Sequence, residues 1–393
     1  MTRLDARCNM LLLRPNLCER RPDVCTLSIC ADSETVGMVF FMNDMMQALQ
    51  VAIERKASDI FIVSGFPMAF KINDVIEPVD AERLMPEATE SLIRQIYELE
   101  GSRGMDILNR EGDDDFSFSI PGLGRFRCNA YKQRNSLAAV LRAVYFSLPD
   151  YRTLNIPETV VELSAKKKGL VLITGSAGSG KSTTLACIID RINNTRRSHV
   201  ITIEDPIEFL HSHKKSIVSQ REVSHDTASY AQALRAALRQ SPDVILLGEM
   251  RDFHTIQTAL TAAETGQLVL STLHTIGAAK TVDRIVDVFP GDQQQQVRIQ
   301  LSMVLEAVVS QQLIPTVDGK LVPAFEIMLV NSAIRNLIRE GKTYQIDNVL
   351  FTGASEGMRT MDGDILRLYK SGVISKDNAL LYSINPDALV RKL

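Results

Sequence analysis

The chain first becomes regular where Met46, Leu49 and Ile53 fall at helical spacing, predicting a helix that begins at Met45 and ends at Ala57-Ser58-Asp59. Ile60-Phe61-Ile62-Val63 reads as a short strand closed by Ser64-Gly65-Phe66-Pro67, and Met68–Ile72 as a second strand turning at Asn73-Asp74. Glu87–Leu99 has helical periodicity. Phe116–Ile120, Gly124–Tyr131 and Ala138–Tyr145 are strand candidates separated by Pro-Gly and Arg-Asn-Ser turns. These elements predict an α+β domain over 42–147, and 148–157, with two prolines, reads as a linker.

Beyond Pro157 the pattern changes. Apolar runs at Leu170–Thr174, His199–Glu204, Val244–Gly248 and Leu268–Thr272 alternate with helical segments at Ser182–Asn193, Tyr230–Arg239, Thr255–Ala263 and Ala278–Val288. Such alternation predicts a sheet sandwiched between helices, an α/β nucleotide-binding architecture over 158–290. From 291 to 393 the pattern is mainly helical, at Gln293–Gln312, Ser332–Glu340, Gly363–Ser371 and Lys376–Leu381. Arg335, Arg339 and Glu340 are expected to leave one face of Ser332–Glu340 wet.

Composition narrows the function classes. The 393 residues carry 44 basic and 47 acidic side chains, interspersed, for a net charge of −3, which argues against a nucleic-acid partner. No apolar run approaches the roughly 18 residues of a membrane helix, and Met10–Leu13 is too short for a signal-peptide core. A soluble cytoplasmic protein is the expectation. Four of the six cysteines, Cys8, Cys18, Cys25 and Cys30, lie in the first 30 residues without a CxxC pair, so neither zinc nor a disulfide framework is expected there. Residues 1–41 read as an irregular leader. A start at Met42 would leave it untranslated; a disordered extension is the alternative.

The chemistry is concentrated in a phosphate loop. Gly175-Ser176-Ala177-Gly178-Ser179-Gly180-Lys181-Ser182 satisfies GxxxxGK[ST], follows an apolar strand and opens a helix. Its glycines let backbone N–H groups curl round phosphates, and a helix N-terminus favours the anion. Residues 176–183, from Ser176 to Thr183, are the expected nucleotide contacts, with Lys181 on the β- and γ-phosphates and Ser182 on Mg²⁺. ATP and Mg²⁺ are therefore the expected ligands.

Two strand ends deliver carboxylates to the edge where open α/β sheets bind ligands. Glu204 is assigned as the water-orienting base and Glu249 as the carboxylate on the Mg²⁺ side, partly through water, with exchanged roles as the alternative. Gly248 before Glu249 departs from the usual hydrophobic-run-plus-Asp form. His274, after the strand Leu268–Thr272, is a weaker candidate. Arg221, Arg235 and Arg239 lie between the carboxylate strands, the last two four apart and hence on one helical face, and are candidates for transition-state charge stabilisation. Arg127, Arg134 and Arg142 punctuate the strands of the first domain and read, unaided, as surface charge.

The motifs occur in a telling order. Gly175–Thr183 is followed by Thr202-Ile203-Glu204-Asp205-Pro206-Ile207-Glu208, Gln220-Arg221-Glu222-Val223 and Gly248-Glu249-Met250-Arg251-Asp252. Then come Ala262-Ala263-Glu264-Thr265-Gly266 and Ser271-Thr272-Leu273-His274-Thr275. Over roughly 42–385 the chain resembles the secretion ATPase superfamily of P-loop NTPases, which powers type II secretion, type IV pili and type IV secretion. Ala333-Ile334-Arg335-Asn336-Leu337-Ile338-Arg339-Glu340 resembles the signature of its PilT-type pilus retraction motors. The compact first domain and the lack of a tetracysteine insert agree with that branch. Phe61 and the ending from Ala379-Leu380-Leu381-Tyr382 to Lys392-Leu393 are closer to the accessory PilU-type motors.

The resemblance implies a PAS-like N-terminal domain, a RecA-like ATPase domain with a C-terminal helical subdomain, and a homohexameric ring. It implies catalytic roles for Glu204, Glu249 and His274, and for Arg221, Arg235 and Arg239 in an arginine-rich segment. Arg127, Arg134 and Arg142 fall where first-domain arginines approach the nucleotide. The implied activity is Mg²⁺-dependent ATP hydrolysis driving type IV pilus retraction and twitching motility. The implied partners are an inner-membrane pilus platform protein and a second retraction ATPase, so membrane contact is only through partners, at the inner face of the cytoplasmic membrane. An assembly or secretion ATPase, or a non-motor ATP-dependent switch, are the alternatives.

Overall fold

Asp44 opens the first helix: its carboxylate accepts from the Met46 N–H at 3.0 Å, and α1 (Met45–Glu54) buries Met45, Ala48, Leu49 and Ala52 along one face. The computed structural model describes residues 44–72, 75–144, 148 and 150–393, all within the unit Phe41–Leu393. The leader with its four cysteines, the Met42 start, the Asn73-Asp74 turn and Tyr145 lie outside the described residues.

The PAS-like N-terminal domain continues with β1 (Asp59–Ile62), β2 (Ala69–Ile72), β3 (Val75–Pro78), α2 (Pro86–Glu100), α3 (Asp106–Glu111), β4 (Asp113–Ile120), β5 (Gly124–Gln133) and β6 (Ser136–Val144). Its strands form an antiparallel sheet in the order β3-β2-β1-β6-β5-β4. Alternation along β5 sends Phe126, Cys128 and Ala130 into a core with Leu92, Ile93 and Ile96 of α2. The opposite face carries a polar row in register across five strands: Ser117, Arg127, Arg142, Asp59 and Lys71.

The ATPase domain comprises α4 (Glu158–Val161), β7 (Gly169–Thr174), α5 (Lys181–Thr195), β8 (His199–Glu204), β9 (Ile217–Glu222), α6 (Tyr230–Ala237), β10 (Val244–Leu247), α7 (Phe253–Thr265), β11 (Leu268–Leu273), α8 (Ala278–Asp287), α9 (Gln294–Val304), β12 (Leu305–Pro315) and β13 (Leu321–Leu329). Its seven strands run in the order β13-β12-β7-β11-β10-β8-β9, parallel except for the β12–β13 hairpin. Ala233, Ile256, Val282 and Leu301 of α6–α9 pack on one face, and Val160, Leu185, Ile188 and Ile192 of α4 and α5 on the other. This is the helix–sheet–helix layering that the alternation predicts, and the RecA-like domain that the resemblance implies.

The expected helix over Gln293–Gln312 is corrected. The helix ends at Val304, and the chain passes directly into β12, whose Val308 and Val309 pair with Leu172 and Ile173 of β7. The strand β9 and the hairpin partner β13 are likewise absent from the sequence reading. The helical subdomain proper follows β13 as α10 (Ser332–Arg339), α11 (Ile346–Thr352), α12 (Met361–Lys370), α13 (Lys376–Tyr382) and α14 (Pro386–Val390). The wet face expected on α10 is also corrected in part. Arg335 turns inward, donating to the Ser302 and Met303 carbonyls at 2.8 and 3.0 Å and to Glu306 at 2.7 Å, so it satisfies the last turn of α9. Among the described residues, no helix is long and apolar enough to cross a membrane.

Candidate functional site

β7 ends in the phosphate loop, and two of its glycines are required by close approach. A Cβ on Gly175 (φ 144°) would lie 2.2 Å from the Gln311 carbonyl oxygen, and one on Gly180 (φ 86°) 2.8 Å from the Gln311 side chain. Gln311, buried on β12, forms the wall of the loop and accepts from the Thr184 hydroxyl at 2.7 Å. Lys181 opens α5 and donates to the carbonyls of Gly175 and Ser176 at 3.1 and 2.7 Å. Burial pulls its ammonium pKa below the usual range, opposed by the Glu208 and Glu249 carboxylates.

A cleft of about 540 Å³ opens at the carboxyl ends of the parallel strands. Residues 177–183 form its floor, joined by Glu204 from β8, Glu249 after β10 and His274 after β11. Glu204 is mostly buried and carries two donors on one oxygen: the Thr202 hydroxyl at 2.6 Å and the Gln220 amide at 3.3 Å, both to Oε1. Desolvation pushes its pKa up to about 7; those donors oppose the rise, and the Glu208 and Glu222 carboxylates add to it. Glu249 pairs with Arg251 at 2.7 Å and stands 3.4 Å from His274 Nε2.

Gly248 is explained by packing. A Cβ there would come 2.8 Å from the Tyr230 hydroxyl and 3.4 Å from the Glu204 Cα. The absent side chain thus lets the ends of β8 and β10 and the start of α6 converge at the cleft. Tyr230, Arg251 and Glu208 line the same cleft but were not singled out in the sequence. Arg251 and Glu208 sat inside the quoted motifs, and their placement was the missing information. A neighbouring pocket of about 250 Å³ runs from Gly180 and Thr183 to Asn155, Ile156 and Leu313.

None of the six expected arginines lines this cleft. Arg221 donates to the Asp226 carbonyl at 2.9 Å beside a separate pocket of about 470 Å³. Arg235 is exposed on α6, but the helix ends at Ala237, so the expected shared helical face with Arg239 is corrected: Arg239 lies beyond the helix end. Arg127 makes a two-pronged pair with Asp115 at 3.2 and 2.5 Å, and Arg142 pairs with Asp59 at 2.9 Å. Arg134 and Asn135 form the two-residue β5–β6 loop with φ of 45° and 61°, the backbone of a type I′ turn.

What ties the first domain to the site is Glu222, which sat inside the quoted motif Gln220-Arg221-Glu222-Val223 without being singled out. It is 3% exposed at the end of β9. Its carboxylate accepts from the Ser117 hydroxyl at 2.8 Å and pairs with Arg125 at 3.2 Å, both on the first sheet. It also accepts at 3.0 Å from the backbone N–H of Ile207, three residues beyond Glu204. His225 Nε2 accepts from the Ser117 N–H at 3.2 Å beside it.

Comparison with known proteins agrees with this geometry. The chain is 44% identical over 336 residues to the type IV pilus retractation ATPase PilT of Pseudomonas aeruginosa, covering 86% of this chain and 97% of that protein. It is 50% identical over 276 residues to a twitching motility protein of Neisseria gonorrhoeae, covering 70% and 74% of the two chains. A crystal structure of the pilus retraction motor PilT with bound ADP superposes with a TM-score of 0.81 at 48% identity, covering 88% of this chain and 98% of that one. Residues 34–355 match the family described as type II/IV secretion system protein. With this match across most of its length and a phosphate loop facing two carboxylates, the chain belongs to the type II/IV secretion system protein family, whose members are ATPases.

Proposed function

We propose that this ATPase is a Mg²⁺-dependent motor for type IV pilus retraction, and so for twitching motility. It works as a homohexamer with an inner-membrane platform protein and a second retraction ATPase. The observation that carries the chemical reading is the convergence of Lys181, Ser182, Glu204, Glu249 and His274 on one cleft. The names of the relatives carry the pilus. The proposed domains are 42–147, a hinge at 148–157, an ATPase core from 158 and a C-terminal region to 393; the expected division at 290/291 moves to the end of β13 at Leu329, because β12 and β13 complete the ATPase sheet.

In this reading residues 176–183 cradle the phosphates, Lys181 leaves its loop carbonyls for the β- and γ-phosphates, and the 250 Å³ pocket takes the base and ribose. The Ser182 hydroxyl and the Glu249 carboxylate, hard oxygen donors facing one cleft, suit Mg²⁺, Glu249 partly through water. When bound, the ion neutralises charge between the β- and γ-phosphates. Glu204 orients a water and takes its proton as the water oxygen bonds to the γ-phosphorus and the bond to the β-phosphate oxygen breaks, giving ADP and phosphate. His274 acts beside Glu249 at the γ-phosphate. Arg221, Arg235, Arg239, Arg127, Arg134 and Arg142 stabilise the charge on the nucleotide, from the same chain on domain closure or from a neighbouring subunit. Closure on ATP draws the domains together.

Steady-state ATPase of the sized protein tests the reading, beside Lys181→Ala and Glu204→Gln. Hydrolysis by a hexamer, lost with nucleotide binding in Lys181→Ala and lost with ATP still bound in Glu204→Gln, is expected. Normal turnover in Glu204→Gln transfers the base to Glu249. ATP binding without turnover in every assembly state would leave a switch rather than a motor.

A further inference from the structure

We infer that Gln220 is a positioning residue for hydrolysis, holding the Glu204 carboxylate so that one chosen oxygen faces the substrate. The inference rests on the proposed role of Glu204 as base. Period-two alternation on the adjacent parallel strands β8 and β9 puts Thr202 and Glu204 on the same face as Gln220 and Glu222, with Thr202 opposite Gln220 and Glu204 opposite Glu222. Gln220 is therefore the lateral neighbour of Thr202, two residues before the base on the same strand face.

The hydrogen bonds fix which way its amide points. The His211 backbone N–H can only donate, and it lies 2.7 Å from Gln220 Oε1, so that atom is the carbonyl oxygen. The NH₂ group must then face the other way, where it donates to the Phe209 carbonyl at 2.9 Å and to Glu204 Oε1 at 3.3 Å. Each of its two hydrogens has one acceptor, so the group has no freedom to flip. Phe209 and His211 belong to the segment following Glu204, and one side chain thus ties that segment, the edge strand and the base together.

The Thr202 hydroxyl donates to the same Glu204 oxygen at 2.6 Å. With two donors on Oε1, that oxygen is stabilised as the anionic acceptor, and Oε2 remains to accept the proton from water. Gln220 touches no reacting atom and acts through Glu204. Its donated bond also favours the ionised carboxylate, against the burial that disfavours it.

The test compares Gln220→Met, which keeps length but donates nothing, with Gln220→Glu, which keeps the acceptor for His211 and loses both donors. The full-length protein is assayed with MgATP from acid to alkaline pH, alone and in a Glu204→Gln background. In Gln220→Met, kcat should fall about tenfold with KM nearly unchanged, and the acid limb of kcat/KM should move up by about one pH unit, the size of one lost charge-assisted hydrogen bond. Gln220→Glu should fall further. The titration of MgATP is common to all variants and cancels in the comparison. In the Glu204→Gln background the Met substitution should change the residual rate little. A wild-type acid limb in Gln220→Met, or an equal further loss in the Glu204→Gln background, overturns the inference. Normal turnover in Glu204→Gln alone instead overturns the assignment of the base. If Gln220→Met does not fold, the acid limb of Gln220→Leu, which also donates nothing and adds no charge, decides the matter in the same way.

Discussion

Replacing Glu222 with Ala removes an acceptor shared by both domains. Three donors lose it together: the Ser117 hydroxyl, the Ile207 backbone N–H and the Arg125 guanidinium, whose Nε is already without a partner. A buried donor left unsatisfied costs about 1–3 kcal/mol, and breaking a buried ion pair by removing one partner about 3–5 kcal/mol. The Arg125 side chain keeps 15% of its exposure, so water recovers part of the loss. With the ion pair discounted to about 1–2 kcal/mol for that water and the two remaining donors taken at the low end, the destabilisation is about 3–4 kcal/mol. At about 2–4 °C per kcal/mol for a folding unit of this size, the melting temperature should fall by roughly 6–16 °C. Thermal unfolding followed by circular dichroism reads it, with Glu222→Gln falling between wild type and Ala because an amide keeps one acceptor oxygen. Arg125→Ala should cost less alone and show coupling of about 1 kcal/mol or more with Glu222→Ala in a double-mutant cycle. A melting temperature for Glu222→Ala within about 1 °C of wild type would refute the claim that this carboxylate joins the domains.

Two further outcomes follow from the site and the helical subdomain. Base catalysis needs Glu204 ionised, and burial has raised its pKa to about 7, so activity is present above that value and lost on acidification. The free-enzyme kcat/KM should drop about tenfold per pH unit below the limb, and a profile flat down to pH 5 would exclude Glu204 as the base. Arg335→Ala strips the Ser302 and Met303 carbonyls of α9 of their donor and Glu306 of an ion pair, so stability should fall by about 1–3 kcal/mol in urea titration. An unchanged midpoint would return Arg335 to the solvent-facing set.

The parts legible in the sequence are those whose signal is local. The strand His199–Glu204, β-branched at its four buried central positions Val200–Ile203, was read with its observed bounds, and the phosphate loop carries its own spacing. Ile217–Glu222 was missed because an edge strand reading Ile-Val-Ser-Gln-Arg-Glu has only two apolar positions, yet it supplies Gln220 and Glu222. The run from Leu301 to Ile314 holds no proline or glycine, so nothing local marks the change from α9 to β12 at Val304; pairing with β7 decides it. The partners of the arginines were illegible for a different reason. Charge at a given position says nothing of which acid will meet it, and Asp59 is 83 residues from Arg142.

The Gln311 wall has a mechanical consequence. β12 touches the phosphate loop on one side and pairs along its length with β13 on the other, and β13 carries Glu326, whose two oxygens hold the first turns of α8 and α12 through the Ala278 and Met361 N–H groups. Two stiff, hydrogen-bonded strands therefore separate the phosphates from the helices at the far end of the chain. A load that displaces α12 must either break the grip of Glu326 or tilt the hairpin, and a tilted hairpin changes the width of the loop in which the γ-phosphate would sit.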